Sequence, residues 1–551
     1  MSDTSSPSET SDESPNLPIS GLGGSTDSVE YHALARDLDE PGFWGWIDRN
    51  GAKLADWLNP ILIKEARQSL KSRQFLITFF LLLAASCFWT VLGVFTNAPD
   101  VYFVPSGEYL MSGYYLVLAI PLIGMVPLAA HRSLAAEMDD DTFEMLVITK
   151  LSSMRIVMGK LNSAMLQMLV YFAAIVPCIA FSYLLRGVNL PTIAIVIGIV
   201  FFTALIVTAF ALLLATLAPN RAGQTFALLG VLATIFFAEM TCYGFCVQGI
   251  LYGYAGSDDG ETLMFTGMFM LIGASCIVMF IKAAAARIAP VTENRSTGLR
   301  WCMFAQQLLW IASMAFLAIG YDDGEVLNFG MMIVGGYWLA MGTLMLSESP
   351  ELSPRVQRDL PSTFAGRALL TWFNPGPATG YVFAIATGSV GIASMALFGL
   401  LGNAGSRTDP FTFAAIMIGY LMAYLGVTRL IVMPLLHRFG PSLVTPITAM
   451  LILMILAGFT PLVLTVVITG APPFSYRPLE TIDWAWTLVE AFDNRYDPYL
   501  ASLIFVAGIS ITLVNLTMLF RVFSYRRISV PQRVQQDAIG SAETSVSTTI
   551  S

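Results

Sequence analysis

Uninterrupted apolar runs of about 20 residues recur from Phe75 almost to the C-terminus, each long enough as a helix to cross the about 30 Å of hydrocarbon in a bilayer. No other feature constrains the fold so strongly. The runs lack the period-two alternation of barrel strands, and inside lipid a helix satisfies its own backbone hydrogen bonds. The sequence therefore predicts an all-α polytopic membrane protein with about twelve transmembrane helices, near 75–95, 111–130, 163–185, 191–217, 226–252, 263–281, 302–320, 330–346, 381–401, 411–428, 444–468 and 499–520. Composition agrees: the 551 residues are 56% hydrophobic and 12% charged, with a mean hydropathy of +0.68, far from the values of soluble domains. Pro121, Pro127, Pro177 and Pro461 fall within these runs and are candidate kinks.

The N-terminal stretch MSDTSSPSETSDESPNLPISGLGGSTD is polar and acidic. It holds too little apolar surface to fold, so 1–50 is predicted to be a disordered tail, as is 529–551. It also lacks the basic start and apolar core of a signal peptide, so the first span is expected to be retained as an anchor. The net charge of −9 owes much to this tail and says little about a substrate. With the N-terminus placed in the cytoplasm, all of the 29 Lys and Arg residues except Arg186, Arg407, Arg477 and Arg495 fall on the cytoplasmic side. The opposite loops, such as GSDDGE (256–261) and YDDGE (321–325), are acidic. The asymmetry repeats over every loop, so the positive-inside rule places both termini in the cytoplasm of a chain that crosses the cytoplasmic (inner) membrane an even number of times.

Ahead of the first span, NPILIKEARQSLKSRQF (59–75) reads as a short helix, within a segment 51–74, with Asn59 as N-cap and Pro60 at the first position. At 100° per residue, Leu62, Ile63, Ala66 and Leu70 share one side, and Lys64, Arg67 and Lys71 the adjacent one. Such a helix lies in the membrane interface with its basic side chains toward lipid headgroups; a plain basic flank that sets topology is the simpler alternative. After the second span comes a long cytoplasmic loop, about 131–162, containing EMDDDTFEMLVITKLSSMRIVMGK. There Asp141 and Glu144 form a capping-box-like start for a helix carrying Phe143, Leu146 and Val147, and Ser152 or Ser153 can cap a second helix leading into the third span.

On these two stretches the chain resembles the permease subunits of type-2 ABC exporters. Such permeases commonly begin with an N-P-x-x-x-K-E-x-R phrase, matched here by Asn59, Pro60, Lys64, Glu65 and Arg67. Past their second span they carry a Glu, then T-x-E-x-L, then a stretch ending in G-K, matched by Glu137, Thr142, Glu144, Leu146, Gly159 and Lys160. Many relatives have Pro where this chain has Lys150. The resemblance covers residues 59 to about 287. It implies an amphipathic elbow helix, a six-helix permease core over 75–287, and a coupling helix that docks on a separate ATP-binding (P-loop) subunit, with a homodimer or pseudo-dimer as the assembly. Residues 288–528 repeat the topology, with a long cytoplasmic loop at 347–380, and read either as a second permease half or as an accessory six-helix extension. The exterior segment 470–498 is expected to hold a short helix near 478–491, with Trp484 and Trp486 at the membrane surface.

No G-x-x-x-x-G-K-[ST], HExxH or GxSxG occurs, and His32, His131 and His437 are scattered. The chain is therefore not expected to be an enzyme, to hold a cofactor or metal, or to bind nucleic acid; its partners are the bilayer and the ATPase. The six cysteines lie in or at the ends of spans and read as packing residues, including Cys242 and Cys246 on one helix face. Glu239, in FFAEMTC, stands apart as an ionisable group near the middle of the fifth span. It marks a substrate path, gate or proton-coupled site, or else a carboxyl hydrogen-bonded to a neighbouring helix. The expected function is substrate translocation by an ABC-type permease; a secondary transporter using Glu239 and a membrane scaffold are the alternatives.

Overall fold

The computed structural model describes residues 60–98, 103–139, 152–217, 221–253, 260–290, 293–321, 324–349, 357, 371–401, 409–439, 442–471, 476–493 and 497–517. The chain divides after Lys64 into two units. Of the first, only residues 60–64 are described; all packing below belongs to the second, Glu65–Ser551. Asn59, Thr142, Phe143, Glu144 and Leu146, most of the loop at 347–380 and both predicted tails lie outside the described residues.

The protein is an all-α polytopic membrane protein: twelve helices are long and apolar enough to span a bilayer, and no strand occurs among the described residues. In the first half the spans are Arg73–Thr96, Gly107–Ala119 continuing to Asp139, Ser153–Leu184, Leu190–Leu217, Arg221–Tyr243 continuing to Leu251, and Gly260–Ile288. Those of the second half are Thr297–Tyr321, Glu325–Met345, Pro377–Leu401, Pro410–Phe439, Val444–Thr469 and Pro498–Thr517. Most helices run past their apolar runs, because polar residues stay helical wherever they find partners at the membrane edge. The third begins at Ser153, ten residues ahead of its apolar run, and the tenth continues to Phe439, placing Arg429 inside a span rather than after one. Two spans are irregular: the second passes through a π-helical segment, Ile120–Met125, that contains Pro121, and the fifth ends in another, Gly244–Leu251. Pro177 and Pro461 sit within continuous α-helices.

The helix ahead of the first span is Pro60–Leu70. Ala66 is buried, while Lys64, Arg67 and Lys71 are exposed, as the helical phase predicts. It stops where Ser72, in extended conformation, caps the first span by accepting a hydrogen bond from the Phe75 amide at 3.1 Å. The segment between the eleventh and twelfth spans forms a 3-10 turn, Pro478–Ile482, and then a helix, Trp484–Phe492, capped by Asp483 on the amides of Ala485 and Trp486.

Each half has its own apolar core, and the two cores are built alike. In both, the first helix packs on the second and third, the second on the third, fourth and fifth, the third on the fourth, and the fourth on the fifth and sixth. The third also meets the sixth, in the second half through a hydrogen bond from Tyr381 to Thr512. In both, the second and fourth members bury the largest share of their residues while the fifth and sixth bury little, leaving Phe236, Phe237 and Leu456, among others, exposed toward lipid. The halves meet where the sixth span packs on the seventh and eighth: Gln306 donates to Cys276 and Tyr337 to Met279. The tenth and twelfth spans approach closely: a Cβ on Gly508 would lie 2.6 Å from the Gly419 carbonyl oxygen. Small residues let two membrane helices come that near.

Candidate functional site

Three residues drawn from the two motif stretches converge at one end of the first half. Lys160, in the third turn of the third span, is 4% exposed. Its ammonium lies 3.0 Å from Glu137 Oε1 and 3.4 Å from Glu65 Oε2, and donates to Ser133 Oγ at 2.9 Å. Ser133 and Glu137, four residues apart, share a face at the end of the second span. Glu65 comes from the helix ahead of the first span. Gly159, beside Lys160, is buried. One ammonium thus ties together the helix ahead of the first span and the two spans that flank the long loop, and three donors match three acceptors. A buried cation held in this way is costly to strip of its partners, since the charges left behind remain away from water.

A second cluster, which no motif announced, occupies the matching end of the second half. Arg300, at the start of the seventh span, is 1% exposed. Its Nη1 donates to the carbonyls of Trp372 and Asn374, each at 2.5 Å, and to Thr379 Oγ1 at 3.2 Å. Its Nη2 bonds Glu348 Oε2 at 2.6 Å and the Gly376 carbonyl at 3.3 Å. Glu348 also accepts from Ser296 Oγ at 2.8 Å and from the Gly376 amide at 2.6 Å. Gly376 has φ +140, a conformation open to glycine and strained for other residues, and so lets the segment turn into the guanidinium. Glu137 and Glu348 hold similar positions, Glu137 in the last turn of the second helix of its half and Glu348 three residues past the end of its counterpart, each ahead of the long loop. The signal available in the sequence was that shared glutamate; the backbone carbonyls that saturate Arg300 leave no trace in residue identity.

The remaining ionisable groups within spans differ from these. Arg429, 1% exposed, donates from Nη1 to Asn515 Oδ1 at 3.0 Å and stacks over Tyr381 at 5.1 Å. Glu480, fully buried in the 3-10 turn, accepts from Thr465 at 3.2 Å. Glu239 stands in the fifth span with both carboxyl oxygens buried and neither hydrogen-bonded. Cys242 and Cys246 place their sulfurs 3.9 Å apart, and all six cysteines are free. No group of three or more metal-ligating side chains occurs among the described residues. His131 is 4% exposed and bonds the Ala211 carbonyl at 3.0 Å, pinning the second span to the fourth.

Both clusters hold helix ends together through a buried cation. Comparison of the chain with family models, with curated proteins and with solved structures gives no match.

Proposed function

We propose that this chain is the permease of an ABC exporter-type complex, moving a substrate across the cytoplasmic membrane at the expense of ATP hydrolysed by a separate P-loop subunit. The observation that carries the reading is the meeting of Glu65, Glu137 and Lys160 around one buried ammonium. These are motif positions by which the chain resembles type-2 ABC permeases, and they would be unrelated surface charges in a scaffold. In the proposed mechanism the loop between the second and third spans receives the push of the ATPase. The Lys160 cluster passes that displacement to the interfacial helix and to the cytoplasmic ends of both flanking spans together, and the bundle re-packs around its path.

The test is purification of the full chain from its native membrane with bound proteins identified. A stoichiometric P-loop ATPase, lost when residues 139–148 are replaced by a Gly/Ser linker, supports the reading. Uptake driven by an ion gradient in liposomes holding this chain alone overturns it. Moving Lys64, Arg67 and Lys71 to the apolar side of the interfacial helix leaves the charge count unchanged and is expected to impair transport; full transport would reduce that helix to a topological flank.

A further inference from the structure

Glu239 is the acidic group that the fold leaves unused. Neither of its carboxyl oxygens has a hydrogen-bond partner, and no cation stands within ion-pair distance of it among the described residues. Glu65, Glu137, Glu348 and Glu480, by contrast, each have an oxygen engaged by a cation or a hydroxyl. The Tyr115 hydroxyl, on the second span, lies beside Glu239 and Cys242 without the alignment of a hydrogen bond, although Tyr115 is 1% exposed. Two buried polar groups therefore face each other in an apolar setting, each short of a partner, a condition that native folds avoid unless the site has a use.

The backbone around the pair is irregular on both sides. The π-helical segment Ile120–Met125 begins five residues past Tyr115, and Gly244–Leu251 begins five past Glu239. Such bulges in membrane helices concentrate at functional positions because they widen the helix and re-aim its side chains. The equivalent spans of the second half, Glu325–Met345 and Val444–Thr469, are regular α-helices, and the latter holds no ionisable residue. The arrangement belongs to the first half alone.

We propose that Glu239 and Tyr115 form a proton-binding site within the membrane. One proton passes from hydronium to the Glu239 carboxylate, giving a carboxylic acid and water, and returns by the reverse step; the Tyr115 hydroxyl turns to donate to the carboxylate or to accept from the acid. A proton is the ligand this geometry admits, since the carboxyl oxygens are closed off from larger molecules. Its gain or loss breaks no bond of the fold, because neither carboxyl oxygen is hydrogen-bonded. The titratable groups facing Glu239 are few. Its own helix brings Cys242, Tyr243 and Cys246, and the second span brings Tyr115. The fourth span, Leu190–Leu217, and the segment Ile120–Met125 bring none. In the helix Val126–Asp139 the first is His131, whose ring is bound to Ala211.

The site is independent of any ATPase, so its test stands apart from that of the permease reading. The full chain in lipid nanodiscs is compared by infrared difference spectroscopy between acidic and alkaline buffer. The expected result is a carboxylic-acid C=O band that changes with pH, is lost in Glu239→Gln, moves in Glu239→Asp, and shifts in frequency in Tyr115→Phe. Identical difference spectra for the native chain and Glu239→Gln, or for Glu239→Asp should the Gln variant not fold, overturn the site. An unshifted band in Tyr115→Phe overturns the pairing with Tyr115.

Discussion

The two halves reach one helix arrangement with different chemistry at the ends that lead into their long loops. In the first, a lysine on the third helix reaches back to two carboxylates and a hydroxyl, all of them side chains. In the second, an arginine on the first helix is enclosed by one carboxylate, one hydroxyl and three backbone carbonyls. A guanidinium suits fixed acceptors, because its donors form a rigid planar fork; an ammonium on a flexible stem can swing among side chains that themselves move. The comparison identifies the second cluster as a rigid clamp and the first as an adjustable joint. In the proposed permease, transmission of movement would fall to the first half.

Removing the clamp is expected to have the largest effect. Arg300→Met takes the cation from Glu348 and a donor from three carbonyls and should cost about 3–5 kcal/mol, the range for breaking a buried ion pair from one side. The readout is the melting temperature of the purified chain in a fixed detergent. A fall no larger than that of Lys160→Met would erase the distinction between clamp and joint.

Lys160→Met is expected to cost less, about 2–3 kcal/mol, because the acceptors it leaves are all side chains that can turn toward water, whereas Arg300 also leaves three backbone carbonyls that cannot. Adding Glu65→Gln and Glu137→Gln to it should restore part of the loss, since the uncompensated charge is then gone. A triple variant less stable than the single one would mean that the hydrogen bonds, and not the charges, hold this joint.

The pairing of fourth and sixth helices separates the halves more finely. Gly508→Ala drives a Cβ against the backbone of Gly419 and should cost about 1–3 kcal/mol, since backbone cannot step aside. Gly273→Ala meets the ends of Phe202 and Ile206 instead, which can rotate, and should cost about 1 kcal/mol or less. Equal losses in a melting comparison would show that the two pairs are equally tight. The smallest effect is expected from Ser72→Ala, which removes the cap of the first span at about 0.5–1 kcal/mol.

Much of this architecture is legible in the sequence, because apolar length alone dictates a spanning helix and all twelve runs became one. Helix ends are less legible. The tenth helix carries Arg429 inside the bundle because Asn515 and Tyr381 meet it there, residues far away in sequence that no local pattern connects to it. The same limit applies to the charge clusters: Glu65, Glu137 and Lys160 stand out as motif positions, but their convergence follows from packing the first three spans together. The π-helical segments divide between the two cases. Pro121 marks one of them, whereas Gly244–Leu251 contains no proline and gave no sign.

The central claim is that the Lys160 joint carries ATPase movement into the membrane, and its most direct test is ATP-driven transport by the co-purified complex in proteoliposomes. The variant to compare is Lys160→Met, Glu65→Gln, Glu137→Gln, which removes the charges together. The account predicts that this variant still binds the ATPase, through the loop, while losing most of its ATP-driven transport. Undiminished transport in the triple variant, or native membranes that yield the chain with no ATPase bound, would contradict it.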